Sequence, residues 1–350
     1  MLDQYRTCCM PLQLYLLKLE VTQQCNSRCK TCNTWKIQDS TLSRSNSLDA
    51  PLQLDTQYQL ISNAKTMGCH ILELHGGEPT LYPHLANIIA YAEAKGIFTL
   101  LTTNGLSISA SLANQIVKAG LKRINYSLDG PYRHQDEIRG VAGAFDKITD
   151  AMAQIRSADK TGRLITNINT MISVMNIDYL KEIVDVACEN HINFMTFTYP
   201  SIYSQDCAYS ANNAFRGKYV ASWRLVGDED YLVRDAQKIQ QKRQEVWQYA
   251  KGKVRLIKTD FFSYPAEMIA KGIKRLPGMC QNIYANVTVD AMGNVYPCEL
   301  LRYPLGNLNT NSVINLLASE AFHEFSADYS RVYRDLDICK YCVEQVYEAG

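Results

Sequence analysis

Residues 14–32 read LYLLKLEVTQQCNSRCKTC. The first nine, LYLLKLEVT, have the apolar, β-prone character of a strand. A cysteine loop follows at once, with Cys25, Cys29 and Cys32 spaced C-x3-C-x2-C. Three thiolates on so short a loop can ligate three irons of a four-iron cluster. The fourth iron then lacks a protein ligand, like the open position of a catalytic metal site, and an exogenous chelate can take it. The competing reading is a three-cysteine zinc site completed by a histidine, and no histidine lies nearer in sequence than His70.

Outward from that loop the chain alternates strand and helix to about residue 200. Helical patterns near 55–67, 82–95, 109–119, 144–156 and 178–190 separate the apolar runs ILELHGGEP, FTLLTTNG, RINYSLDG, LITNINTMIS and NFMTFTYP. Apolar strands alternating with helices are the signature of a buried parallel sheet. Six such units predict an α/β fold, a partial (β/α)6 TIM-like barrel over residues 13–201. Ligands bind at the carboxyl ends of the strands in such folds, which is where the Cys25 loop falls. Residues 202–279 read as a helical bridging segment. A polar Tyr/Ser/Asn-rich loop (202–218) is followed by a charged helix near 228–252, with Leu232, Ala236, Ile239 and Val246 toward a core. Residues 280–350 read as a small C-terminal iron–sulfur domain, opening with the hairpin NVTVDAMGNVYPC.

The 350 residues suit one large α/β domain plus an appendage, and a 47% apolar fraction allows a sizeable core. A net charge of +1 supplies no strong field for nucleic acid or an anionic membrane, so neither is an expected partner. The first residues lack the basic start, apolar run and cleavage site of a signal peptide. No run of about 18 uncharged apolar residues is present. The expectation is a cytoplasmic protein, whose twelve cysteines are metal ligands or catalytic groups rather than disulfides.

The stretch EVTQQCNSRCKTCNTW resembles the cluster loop of the radical S-adenosylmethionine (SAM) superfamily. His75-Gly76-Gly77-Glu78-Pro79, at the end of the second strand, is similar to its GGE motif, where backbone groups meet the methionine amino group. Glycine permits that approach because it has no Cβ. Thr103-Asn104-Gly105 ends the third strand and Ser127-Leu128-Asp129-Gly130 the fourth. In relatives a serine at that place contacts the cofactor, as does an arginine roughly twelve residues on, here Arg139. Each motif alone is weak; four in order, each at a strand end, are specific together. The resemblance covers roughly residues 15–200. It implies a [4Fe-4S] cluster on Cys25, Cys29 and Cys32, with SAM held by Gly76, Gly77, Glu78, Asn104, Ser127 and Arg139. The chain departs from many relatives in placing Thr31, not an aromatic, before the third cysteine. Trp35 is read as core.

Cys280, Cys298, Cys339 and Cys342 form C-x17-C-x40-C-x2-C, which resembles the SPASM/Twitch extension of the superfamily and in layout the Twitch domain of 2-deoxy-scyllo-inosamine dehydrogenase. The resemblance implies a second, auxiliary [4Fe-4S] cluster with all four irons ligated by protein. A four-cysteine structural zinc site is the alternative. A full SPASM extension continues with three more cysteines, whereas this sequence ends eight residues after Cys342. One auxiliary cluster is therefore the expectation, for electron transfer or for folding.

Of the other cysteines, Cys188 and Cys69 are read as packed, and Cys8 and Cys9 as part of an amino-terminal arm. Cys207, in the loop after the sixth strand, is a candidate catalytic hydrogen-atom donor. Glu299 is a candidate base but is read as solvated. The expected activity is reductive cleavage of SAM to a 5′-deoxyadenosyl radical and hydrogen abstraction from substrate. Oxidation of an alcohol or amine carbon of a small molecule is favoured, because only about 24 residues precede the first cluster, too few for a peptide-recognition domain. The alternatives are a peptide-modifying maturase and a non-catalytic cysteine-rich metal protein. A low-potential electron donor of flavodoxin or ferredoxin type is the implied protein partner.

Overall fold

The computed structural model describes residues 13–32, 35, 51–200, 205–218, 220–221, 229–272, 280, 282–333, 336, 339 and 342; Cys8 and Cys9 lie outside them. Six strands come in the expected order: β1 (Leu16–Thr22), β2 (Ile71–Gly76), β3 (Phe98–Thr103), β4 (Arg123–Ser127), β5 (Ile165–Met171) and β6 (Phe194–Thr198). Each pairs in parallel with the next. Between them run α1 (Leu54–Thr66), α2 (Leu85–Ala94), α3 (Ala110–Lys118), α4 (Arg133–Arg139), α5 (Ala144–Ala158) and α6 (Leu180–Glu189).

The register sorts the side chains into two faces. Leu17, Leu19, Leu72, Leu74, Leu101, Ile124, Ile168 and Met195 point outward and are sealed under the helices. Each contributes about 1.5–3 kcal/mol by leaving water. The alternate residues line the lumen; Leu100 and Phe194 are among them, but polar ones are more numerous: Lys18, Glu20, Glu73, His75, Thr102, Asn125, Asn167, Asn169 and Thr196. The pattern is plainest on β2, β3 and β6, where sealed outward residues alternate with half-buried inward ones.

The stretch read as a loop at 202–218 contains α7 (Gln205–Ala214). Cys207, Ala211, Ala214 and Phe215 recur at helical spacing and pack on the core, which outweighs the polar composition. β7 (Val220–Ala221) follows. The charged helix, α8 (Ala236–Ala250), starts later than its charge pattern suggests because Asp235 caps it, accepting the Lys238 N–H at 3.0 Å. Leu232 lies before the helix yet is buried, as are Ile239 and Val246. The 202–279 segment is not purely helical: β8 (Arg255–Ile257) joins β6 in parallel, a seventh barrel strand too short to register as a pattern.

The predicted hairpin forms, as β9 (Asn286–Val289) and β10 (Asn294–Tyr296). It is not confined to a separate domain. β9 runs parallel to β1, so the barrel sheet continues through β9 and β10 to β12 (Gly306–Asn307). β11 (Leu301–Arg302) pairs instead with β7. Among the described residues no helix is long and apolar enough to cross a membrane.

Candidate cofactor site and the two cysteine sets

β1 delivers the chain to the carboxyl end of the barrel, and the Cys25 loop begins three residues after it ends. Strand β2 stays beside it past its own end. The Gly77 N–H donates to the Thr22 carbonyl at 2.8 Å and the Glu78 N–H to the Gln24 carbonyl at 2.7 Å. A Cβ on Gly76 would stand 2.3 Å from the Thr22 oxygen, and one on Gly77 2.2 Å from the Gln24 oxygen. Gly76 also has φ +142, which favours glycine. Both glycines are therefore required by the approach of two backbones.

The Glu78 side chain is spent inside the protein. Its carboxylate is buried and accepts from Thr80 N–H and Oγ1, Thr103 Oγ1 and Asn104 N–H, at 3.1, 2.6, 2.6 and 2.7 Å. Burial pushes its carboxyl up from the ordinary value, against those hydrogen bonds. The side chain thus ties the end of β2 to the end of β3. Asn104 extends the tie: its amide donates to Asn26 Oδ1 at 2.8 Å and Ser27 Oγ at 3.0 Å, both in the cysteine loop.

The other side of the loop is held by α4, which the sequence pattern does not reveal. The Arg28 and Lys30 N–H groups donate to the Arg139 and Ile138 carbonyls, each at 2.9 Å. Arg139 then turns inward. It donates to the Ser127 carbonyl at 2.8 Å, to Asp129 Oδ2 at 2.6 Å and toward Cys29 Sγ at 3.5 Å. Burial would lower its guanidinium, but Asp129, Cys29 and Cys32 outweigh that and hold it above its ordinary value. Among the described residues its Nε is buried without a hydrogen-bond partner. Trp35 is half-buried rather than core, and braces the loop by donating to the Cys29 carbonyl at 2.9 Å.

The three thiols feel one another. Burial pushes the Cys25 thiol up to about 11, and Cys29, Glu78 and Cys32 add to the rise. Cys29 is also raised by burial, with Arg139 opposing. Among the described residues no three His, Cys, Asp or Glu side chains converge as a single ion requires. A cubane asks for another arrangement, one thiolate for each of three irons. The donor set fits that group and a chelating amino acid: thiolates for the irons, and the unspent, buried Nε of Arg139 for a carboxylate.

Of the second set, Cys280 and Cys339 lie near enough to act on the Cys298 thiol. Burial pushes that thiol up to about 12, with Cys280 and Cys339 adding to the rise, and the Leu301 N–H donates to its sulfur at 3.4 Å. The Cys342 N–H donates to the Cys339 carbonyl at 3.4 Å. An all-sulfur donor set suits iron–sulfur clusters or zinc.

Cys69 is buried, and Cys188 packs on the core from a half-buried place. Cys207 sits on α7 and also packs on the core. Glu299 is not a solvated surface residue. It faces the lumen and accepts from Lys18 Nζ at 2.9 Å, with its carboxyl held far below the usual range chiefly by Lys18. Sequence reading also passed over Lys18, Glu20 and Arg302: Lys18 meets Glu299, and Arg302 Nη2 donates to Glu20 Oε1. The signal was present, since two charges two residues apart in an apolar strand must share one face.

Family profiles match two parts of the chain: the radical SAM superfamily over residues 19–187, and the SPASM iron–sulfur cluster-binding domain over residues 280–343. An AdoMet-dependent heme synthase of Oleidesulfovibrio alaskensis is 34% identical over 178 residues, half of this chain and 42% of its own. This chain thus spans less than half the length of that relative. Another AdoMet-dependent heme synthase, of Methanosarcina barkeri, is 24% identical over 93% of this chain and 88% of its own. The mycofactocin maturase MftC of Mycolicibacterium smegmatis is 26% identical over 81% of this chain and 63% of its own. The fold is shared with Streptococcus suis SuiB bound to S-adenosylmethionine, with a TM-score of 0.66, 16% identity, and coverage of 98% of this chain and 74% of that one.

Proposed function

The chain belongs to the radical SAM superfamily and carries a SPASM iron–sulfur domain, and on that premise we propose that it reductively cleaves SAM and abstracts a hydrogen atom from a polar substrate held in the barrel lumen. The observation that carries the reading is the Cys25 loop, clamped by Gly77 and Glu78 on one side and by Arg139 on the other, with the Arg139 Nε unspent. When bound, the first cluster supplies the electron that breaks the sulfonium carbon–sulfur bond and leaves a 5′-deoxyadenosyl radical. Cys25, Cys29 and Cys32 hold that cluster. Gly76 and Gly77 present backbone to the methionine moiety, and Arg139 receives its carboxylate. Ser127 lies beside it as a contact for the cofactor. Glu78 and Asn104 act by positioning, because their side-chain hydrogen bonds are spent inside the protein.

Cys280, Cys298, Cys339 and Cys342 hold the auxiliary cluster. Oxidation of an alcohol or amine carbon is the reaction we favour. Half-buried polar side chains on the lumen face, among them Glu73, His75, Thr102 and Asn169, support a substrate rich in hydrogen-bonding groups. A polar wall suits a polar substrate better than an apolar one. A second reading, a peptide-modifying maturase, is favoured by the likeness to mycofactocin maturase over 81% of the chain, and there Cys207 is the thiol to test as hydrogen donor. The test of the main reading is anaerobic reconstitution, reduction and incubation with SAM. We expect 5′-deoxyadenosine and methionine in equal amounts; no 5′-deoxyadenosine above the reductant-only background refutes the reading.

A further inference from the structure

We propose that Lys18 and Glu20 are positioning residues that fix the Cys298 loop, and with it the second cysteine set, against the barrel. The proposal rests on the reading of Cys298 as a cluster ligand. Both residues face the lumen from β1, while Leu17 and Leu19 between and beside them are sealed in the core. Lys18 Nζ lies 2.9 Å from Glu299 Oε2 and 4.0 Å from Glu73 Oε2. Glu20 accepts from Arg302. The partners are 281 and 282 residues apart in sequence. The side chains of Lys18, Glu20 and Arg302 are 9%, 1% and 12% exposed.

Adhesion does not explain these pairs. Removing charges from water is costly, and apolar residues of similar volume often serve stability as well or better. Adhesion is in any case supplied by the β-ladder, in which Leu16 to Leu19 pair with Asn286 to Val289. That ladder ends before Cys298, and the next pairings, β11 with β7 and β12 with β10, take hold only beyond it. The two ion pairs grip the chain at positions 299 and 302, on the far side of Cys298. An apolar contact can slide by a residue; a buried lysine must meet its carboxylate. Tyr296 completes the frame, its ring 5.2 Å from the Arg302 guanidinium and its hydroxyl 3.0 Å from Asp290 Oδ2. The strand that ends in the Cys25 loop thus also sets where the second set stands.

The experiment uses the full chain with Lys18→Met, Lys18→Arg, and the charge swap Lys18→Glu with Glu299→Lys. Hydrogen exchange over residues 297–302 is read before iron is added. The midpoint potential of the second cluster is read after anaerobic reconstitution by redox titration with electron paramagnetic resonance. Lys18→Met should speed exchange there at least tenfold and shift the potential negative, because Glu299 beside Cys298 then loses its nearest cation. Lys18→Arg should keep both near wild type. The swap should restore protection and move the potential positive, because a cation then adjoins Cys298. Unchanged exchange and potential in Lys18→Met would overturn the proposal, as would a swap that fails to recover protection. A wild-type chain that takes up only about four irons, all on the first set, would overturn the underlying reading of the second set. The exchange arm, run without iron and extended to Glu20→Gln, then still decides whether Lys18 and Glu20 hold the loop.

Discussion

Arg139 spends its guanidinium on three partners from three places, the Ser127 carbonyl, the Asp129 carboxylate and the Cys29 sulfur, and keeps Nε in reserve. Lysine preserves the charge but not the fork. Arg139→Lys should weaken SAM binding at least tenfold, about 1.4 kcal/mol, in equilibrium titration of the reconstituted protein; wild-type affinity would mean that Arg139 serves only Asp129. Glu78→Ala should strand several buried donors and destabilise the iron-free chain by about 3 kcal/mol in denaturant unfolding, and an unchanged midpoint would contradict the clamp. The residues legible in sequence were those whose chemistry is local: cysteines at fixed spacing, paired glycines, an arginine a fixed distance past a strand. The work of Glu78, Lys18 and Glu299 was hidden because it depends on partners brought by the fold, as much as 281 residues away for Lys18.

β2 and the cysteine loop act as one element, since the parallel ladder continues past the strand end through Gly77 and Glu78. A methyl at Gly77 cannot fit 2.2 Å from a carbonyl oxygen, so the two backbones must part. Gly77→Ala should leave the barrel folded by circular dichroism yet abolish SAM-dependent spectral changes of the first cluster; normal cofactor binding would show that the approach is not required. Long elements were legible because apolar residues recur along them: the six strands and five of the six helices between them. α4 was missed because it is short and only Gln135 and Ile138 are buried on it. α7 was missed because it lies in a polar Tyr/Ser/Asn-rich stretch while its core contacts come from Cys207, Ala211 and Ala214.

At the scale of the molecule, the sheet is continuous from β12 through β1 to β8, so the second cysteine set is built on the barrel rather than hung from it. A hairpin is readable from a turn between two short strands, but which edge it joins is not, because pairing between distant segments leaves no local pattern. The reading of the two cysteine sets as ligands of two four-iron clusters predicts about eight irons after anaerobic reconstitution. It also predicts a division of labour. The first set leaves an iron open for SAM; the second closes its coordination and can serve only electron transfer or folding. The most direct measurement compares Cys29→Ala and Cys280→Ala, reconstituted and reduced side by side, for 5′-deoxyadenosine formed from SAM. The account predicts none above background from Cys29→Ala and continued formation from folded Cys280→Ala. Formation by Cys29→Ala, or its loss from a folded Cys280→Ala that retains the first cluster, would contradict it.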